Sequence, residues 1–443
     1  MTLPIVIRSS NHKLSLLLAV LVSLTCLGTS QTASAQTISF QRDRAREILK
    51  TLKKDILENY YDPKYHGIDV EAVFKEADEL LKKAETHGQM YGIIARAMLQ
   101  FNDSHMFFLP PSRVARLEHG WTMEAVGDKC YIAAVQPGSD ADRKGVKPGD
   151  LVVSINEMLP DRATLWMIQY LQFLRPQPTT QFILQSPNEK PRPLNVDAKV
   201  TQGKKRTESY EDYMRLADEE ERDSRLHRHR WLELDEAMIW KMPEFDLEPE
   251  KVDDMMNKAR KRPALILDLR GNGGGYEVTL LRMIGNLFDH DVKVGDLTRR
   301  KEKKPMLAKT RGSDIFKGKL IVLIDGASGS SSELLARVVQ LEKRGTVLGD
   351  RSAGAVMRAR QSSRSLGLDT VIVYGASITD ADVVMTDGKS LERVGVTPDE
   401  LLLPTPMDLQ QSLDPVMVRA GELVGLKFDS KKAGALFPVE WRK

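Results

Sequence analysis

Three stretches of this chain hold side chains that could do chemistry. The first is KLIVLIDGASGSSSE, Lys319–Glu333: an apolar run, a turn dense in glycine and serine, then the helix-like SELLARVVQLEK. A short apolar run bounded by Gly and Asp reads as an interior strand, and Leu334, Leu335, Val338, Val339 and Leu341 recur at helical spacing. A strand-to-helix turn can hold a hydroxyl at a helix N-terminus, where free amides and the helix dipole stabilise developing negative charge. The same serines also suit helix capping, and spacing alone does not choose among Ser328, Ser330 and Ser332. The second stretch is Asp268-Leu269-Arg270-Gly271-Asn272-Gly273-Gly274-Gly275. Its glycines free the backbone to turn sharply and bring amides close to a ligand. It lacks the spacing of a phosphate loop, so backbone N–H groups aimed at an oxyanion are the better functional reading. The third is the polar break Asn102-Asp103-Ser104-His105, between a helical segment and the apolar MFFLPP.

These stretches need elements to position them. At 443 residues the chain exceeds the roughly 250–300 at which one core stops growing, so two or three domains are expected. Residues 36–117 carry apolar positions at three- and four-residue spacing amid charges, and read as a helical region. Residues 118–198 change to short strands, with the glycines and proline of Gly145–Asp150 making a tight turn. Residues 199–230 are polar and charged, a linker or solvated helix. From 231 to 443, the apolar runs 264–270, 319–325, 346–350 and 370–375 have helix-like segments between the first three. That order predicts an α/β core with a largely parallel sheet and helices packed on it.

Composition excludes several classes. Hydrophobic residues are 41% and charged residues 29%, as in soluble globular proteins, and the net charge of +3 falls to +1 without Arg8 and Lys13. That balance gives no case for nucleic acid or membrane-surface binding. Arg8 and Lys13, the apolar Leu14–Gly28 and Ala33-Ser34-Ala35 read as a secretory signal over residues 1–35, with export to a periplasm or medium. The apolar run is shorter than the roughly 20 residues of a bilayer span, so no transmembrane segment is expected once the leader is gone. Only Cys130 then remains, which precludes an intramolecular disulfide. It reads as a small buried hydrophobe. His227 and His229 have no Cys or carboxylate at ligand spacing, so no metal is expected, and no organic cofactor is implied.

Val135–Asn156, within CYIAAVQPGSDADRKGVKPGDLVVSINEM, resembles the core of a PDZ domain. The resemblance implies a groove in which a peptide C-terminus adds as a strand. Gly120, Trp121, Thr122 and Met123 stand where its carboxylate-binding loop belongs, without that loop's glycine-rich form. DLRGNGGG, the SGSSSE turn and LERVGVTPDE together resemble the C-terminal processing and tricorn-type serine peptidases, from about Gln36 to Pro404. That resemblance implies a crotonase-like core of strands wrapped with helices, and Ser330 as nucleophile. The lysine base of one branch is absent, since its place falls at Ala355 in GDRSAGAVM, and Lys343 has no motif support. The tricorn-like branch implies instead His105 as base, Ser104 bridging and Glu392 supporting. Gly273, Gly274 and Ser331 would supply oxyanion amides. Glu333 would then cap the helix, with Asp268 and Arg270 orienting the glycine loop. The implied function is an exported serine endopeptidase acting on polypeptide substrates, with a homo-oligomer left open. The rivals are a non-catalytic peptide-binding scaffold and a carrier of hydrophobic small ligands on the same fold.

Overall fold

A computed structural model describes residues 38–111, 115–202, 228–367 and 371–441. The expected leader lies outside them, as do residues 203–227 of the expected linker. The N-terminal amphipathic stretches form helices over 38–59, Val70–Leu81 and His87–Leu99. In the second of these, Val70, Phe74, Ala77 and Leu81 are the buried stripe, and Asp69 caps the start by accepting from Ala72 N. Two compact units result: the chain through Lys54 with Asp69–Ala97, and Asp55–Ile68 with Met98–Lys443. All the candidate catalytic and peptide-binding residues belong to the second.

The second unit is mixed α/β. Its six-stranded sheet has the order Glu400–Leu401, Thr346–Gly349, Lys319–Ile324, Ala264–Asp268, Met238–Lys241, Arg230–Glu233. All neighbours are parallel except the last pair. Both faces are covered, which is why its central strands read as unbroken apolar runs. Leu265, Leu267, Val322 and Ile324 pack with the helices Pro249–Ala259, Glu277–Gly285 and Ser331–Leu341 on one face. Ala264, Ile266, Ile321 and Leu323 pack with Val416, Met417 and Ala420 of Pro415–Val424 on the other.

The apolar run 370–375 departs from the expected alternation. It opens the 14-residue strand Ile372–Met385, which lies in an antiparallel sheet beside Phe107–Leu109, Arg358–Leu366 and Val292–Thr298. The cause is local: Arg358–Leu366 precedes it with a short connection and pairs with it residue by residue, a contact available before any distant parallel partner.

A third sheet holds Trp121–Val126, Lys129–Val135, Leu151–Ile155, Thr179–Gln185 and Arg192–Asp197, antiparallel and in chain order. The helix Leu165–Leu174 packs Leu165 and Ile168 into its core with Trp121, Ile132 and Phe182. Cys130 is buried there, and burial pushes its thiol up to about 11, so it is inert. Among the described residues no helix is long and apolar enough to cross a membrane.

Candidate active site

The four serines of the turn have different work. Ser328 Oγ donates to Leu269 O at 2.8 Å, Ser332 Oγ to Asn272 O at 2.9 Å and Ser331 Oγ to Gly275 O at 3.2 Å. Each stitches the turn to a carbonyl of the glycine stretch. Ser330 stands at the N-cap of Ser331–Leu341 and forms a loose capping box with Glu333, in which its hydroxyl faces the Glu333 N–H without a well-formed hydrogen bond. The Glu333 N–H, which a capping hydroxyl would take, goes to the Ser330 carbonyl at 2.9 Å. Of the three serines that spacing left open, Ser330 alone among the described residues has a hydroxyl not bonded to the glycine stretch.

Ser330 also has a strained backbone, with φ 50° and ψ −118°. Such a conformation costs roughly 1–3 kcal/mol and persists only when its surroundings dictate it. Here Ser330 N donates to Ala355 O at 2.7 Å and to Glu333 Oε2 at 3.0 Å. Gly274, at φ +109°, backs onto it so closely that a Cβ there would lie 2.5 Å from Ser330 Cβ.

Glu333 does more than cap. Its carboxylate also accepts from Ser352 Oγ at 2.6 Å, Gly354 N at 2.7 Å and Ala355 N at 2.8 Å. It thereby pins the 352–355 loop to the serine turn. Burial pushes Glu333 up to about 7 against the pull of these donors. Ala355, where another branch would place a lysine, contributes its backbone: the carbonyl to Ser330 and the N–H to Glu333. Lys343 is exposed at the far end of the helix.

The glycine stretch is held from several sides. Arg270 pairs in two-pronged fashion with both Asp268 and Asp414, at 2.8–2.9 Å. Burial would raise Asp268, but Arg270 and Lys241 outweigh it and hold the carboxyl below its ordinary range. Gly271 N donates to Asp325 Oδ1 at 2.9 Å, tying the two loops together. Asn272, fully buried, donates from Nδ2 to Met242 O and accepts from Gly274 N, both at 2.8 Å. The Gly274 N–H is therefore spent within the loop. The amides of Gly273 and Ser331 have no recorded partner among the described residues.

Ser104, His105 and Glu392 meet. Ser104 Oγ lies 2.8 Å from His105 Nδ1 and 2.8 Å from Glu392 Oε2, and Ser104 N donates to Glu392 Oε1 at 3.0 Å. Val356 N adds a third donor to the carboxylate at 3.1 Å. The Ser104 hydroxyl has one proton, and donating it to the carboxylate leaves its oxygen to accept from Nδ1–H. Nε2 of His105 is then the unprotonated nitrogen. Burial lowers His105 below the ordinary histidine range. Asp103 opposes that shift and Arg393 adds to it. Burial raises Glu392 above the ordinary carboxylate range.

Asp103, unremarked beside the Ser-His pair, anchors the break: Oδ1 accepts from His105 N at 2.9 Å and Thr379 Oγ1 at 2.6 Å, and Oδ2 from Tyr60 Oη at 3.2 Å. Among the described residues no hydrogen bond joins His105 to Ser330 Oγ. The adjacent residues Ala355 and Val356 link the two groups indirectly, Ala355 bonding Ser330 and Val356 bonding Glu392.

Gly120, Trp121, Thr122 and Met123 sit elsewhere. They begin the edge strand of the third sheet, with Trp121 and Met123 in its core and Thr122 exposed. His229 is spent between Trp240 Nε1 and Asp246 Oδ1, at 3.1 and 2.8 Å. His227 lies outside the described residues.

Residues 238–402, which carry both loops and Glu392, match the model of peptidase family S41. Over 390 residues the chain is 23% identical to a putative tricorn protease homolog of Streptomyces coelicolor, covering 82% of this chain and 31% of that protein. It is 22% identical to the chloroplastic C-terminal processing peptidase of Tetradesmus obliquus, covering 79% and 76%. The chain thus spans about a third of the former. The solved structure of mature CPAF superposes with a TM-score of 0.61 at 14% identity, over 83% of this chain and 94% of that one, so the two share a fold.

Proposed function

We propose that this chain is a serine endopeptidase of the S41 type with Ser330 as nucleophile, His105 as general base and then acid, and Ser104 and Glu392 setting the imidazole. The observation that carries the reading is the Ser330 hydroxyl: on strained backbone, at a helix N-terminus, and not bonded to the glycine stretch that engages the hydroxyls of its neighbouring serines. Ser330 Oγ attacks the scissile carbonyl while its proton passes to His105 Nε2. The carbonyl π pair moves onto oxygen, where the Gly273 and Ser331 amides receive it. Collapse breaks the C–N bond as His105 returns the proton to the departing amine. Water, deprotonated by His105, then cleaves the acyl-enzyme and restores Ser330. The chain from Glu392 through Ser104 to Nδ1 keeps Nε2 free to accept, the part a carboxylate plays directly in a Ser-His-Asp triad.

The PDZ-like reading belongs here too. The edge strand Trp121–Val126, entered through Gly120 at φ +71°, supports docking of a polypeptide C-terminus as an added strand. Unfolded or tail-exposed polypeptides exported with the enzyme are the proposed substrates, as the processing-peptidase relative's name suggests.

A fluorophosphonate should label Ser330, and Ser330→Ala and His105→Ala should each abolish turnover of a denatured protein while the fold melts normally. An unlabelled Ser330 in a folded protein would instead favour the scaffold. Saturable binding of an apolar fluorophore by a protein inert to peptides would favour the carrier.

A further inference from the structure

His105 is bracketed by two anchors of different origin. On its N-terminal side Asp103 ties the break to Thr379 of the antiparallel sheet. On the other side, the anchor comes from the third sheet's helix. Tyr170 Oη accepts from Phe108 N at 2.9 Å and donates to Phe108 O at 2.8 Å. Phe108 lies in Phe107–Leu109, an edge strand whose only strand neighbour among the described residues is Ile372–Met385. In an antiparallel pair, the two backbone groups of one residue point the same way. A hydroxyl that meets both therefore stands on the strand's open edge, where a further strand would bond. The Phe107 and Tyr170 rings meet edge-on at 6.2 Å between centroids, and Met106 between the anchors is buried.

We infer that Tyr170 is a positioning residue for His105, its phenol seating the strand that follows the imidazole-bearing turn so that Nε2 can serve Ser330. The inference rests on the peptidase reading for its catalytic consequence, but the clamp itself is a contact between Tyr170 and Phe108. A base displaced by about 1 Å can cost on the order of a hundredfold in rate, so loss of one phenolic oxygen outside the reacting groups has room for a large effect.

The test is Tyr170→Phe in the full chain, which keeps the ring packing and removes only the hydroxyl. Three quantities are read: kcat and KM on a denatured protein, the rate of fluorophosphonate labelling at Ser330, and the NMR titration of the His105 ring. The expected result is a kcat and labelling rate lower by about tenfold or more, KM within about twofold of the parent, and a His105 midpoint moved upward as the strand loosens and the ring gains water. A melting temperature close to the parent's would separate this from general unfolding. A His105 midpoint that stays put, with unchanged kcat, overturns the inference. If the parent itself is not labelled at Ser330, the peptidase reading fails. The titration still decides the clamp: a moved midpoint upholds it and an unmoved one overturns it.

Discussion

Glu392 receives both the N–H and the Oγ–H of Ser104, at 3.0 and 2.8 Å, across 288 positions of chain. Two donors from one residue fix the carboxylate's plane, and the same serine oxygen meets His105 Nδ1. Ser104→Ala removes the relay, and Glu392→Gln replaces an acceptor by a group that also donates. Both should lower kcat by roughly 10²–10⁴-fold with little change in KM, because the lost interaction orients the base rather than binding substrate. Steady-state kinetics on a denatured protein checks this. Ser104→Ala with parental kcat would remove the serine from the mechanism.

Gly274 and Ser330 are packed too tightly for a side chain at the glycine. A Cβ on Gly274 would meet Ser330 Cβ at 2.5 Å and Gly329 O at 3.1 Å, from a backbone at φ +109° that L residues rarely adopt. Gly274→Ala must therefore move the nucleophile or the loop. Its expected cost is about 1–3 kcal/mol of stability, with labelling of Ser330 lost even in the folded fraction. Denaturant melts and labelling, run on the same sample, separate the two effects.

The pH profile follows from what surrounds His105. As base it must be neutral, and burial holds its pKa below the ordinary value of about 6.5. The ascending limb of kcat/KM should therefore lie on the acid side of that value, with full activity at neutral pH. Arg393 lowers His105 further, so Arg393→Gln should move the limb toward higher pH, and a shift to lower pH would contradict this electrostatic account.

What could be read from the sequence was what is local. The buried run before Ser330, the helix after it and the glycine stretch each announce themselves within a dozen residues. The parallel pairing of Ala264–Asp268 with Lys319–Ile324 follows from alternation with helices. Spacing does not choose Ser330 over its neighbours, a choice that rests on likeness to a peptidase family, because Ser328 and Ser332 are spent on carbonyls 59 and 60 residues away. Asn272 and Asp103 have no role legible in the sequence for the same reason: their significance lies in Met242, Thr379 and Tyr60, partners that only the fold supplies. Glu333 was legible as a cap, since Ser330 N is three residues off, but its bonds to Ser352, Gly354 and Ala355 were not. His105 and Glu392 came from likeness to a peptidase family, not from any pattern of their own.

One guanidinium helps fasten the third sheet to the 350–351 segment. Arg162 donates from Nε to Gly127 O and from Nη1 to Arg351 O, both at 2.6 Å, and pairs through Nη2 with Asp350. Gly127 N also donates to that carboxylate at 2.9 Å. The two side chains are only 10% and 8% exposed, so each charge depends on the other for compensation. Asp350→Asn leaves the guanidinium buried with one charge unmatched, and should cost about 3–5 kcal/mol. The double change Arg162→Met with Asp350→Leu removes both charges, and should recover much of that loss. A double-mutant cycle by denaturant melts measures the coupling. Additive losses would mean that the backbone bonds to Gly127 and Arg351, rather than the ion pair, hold the sheet in place.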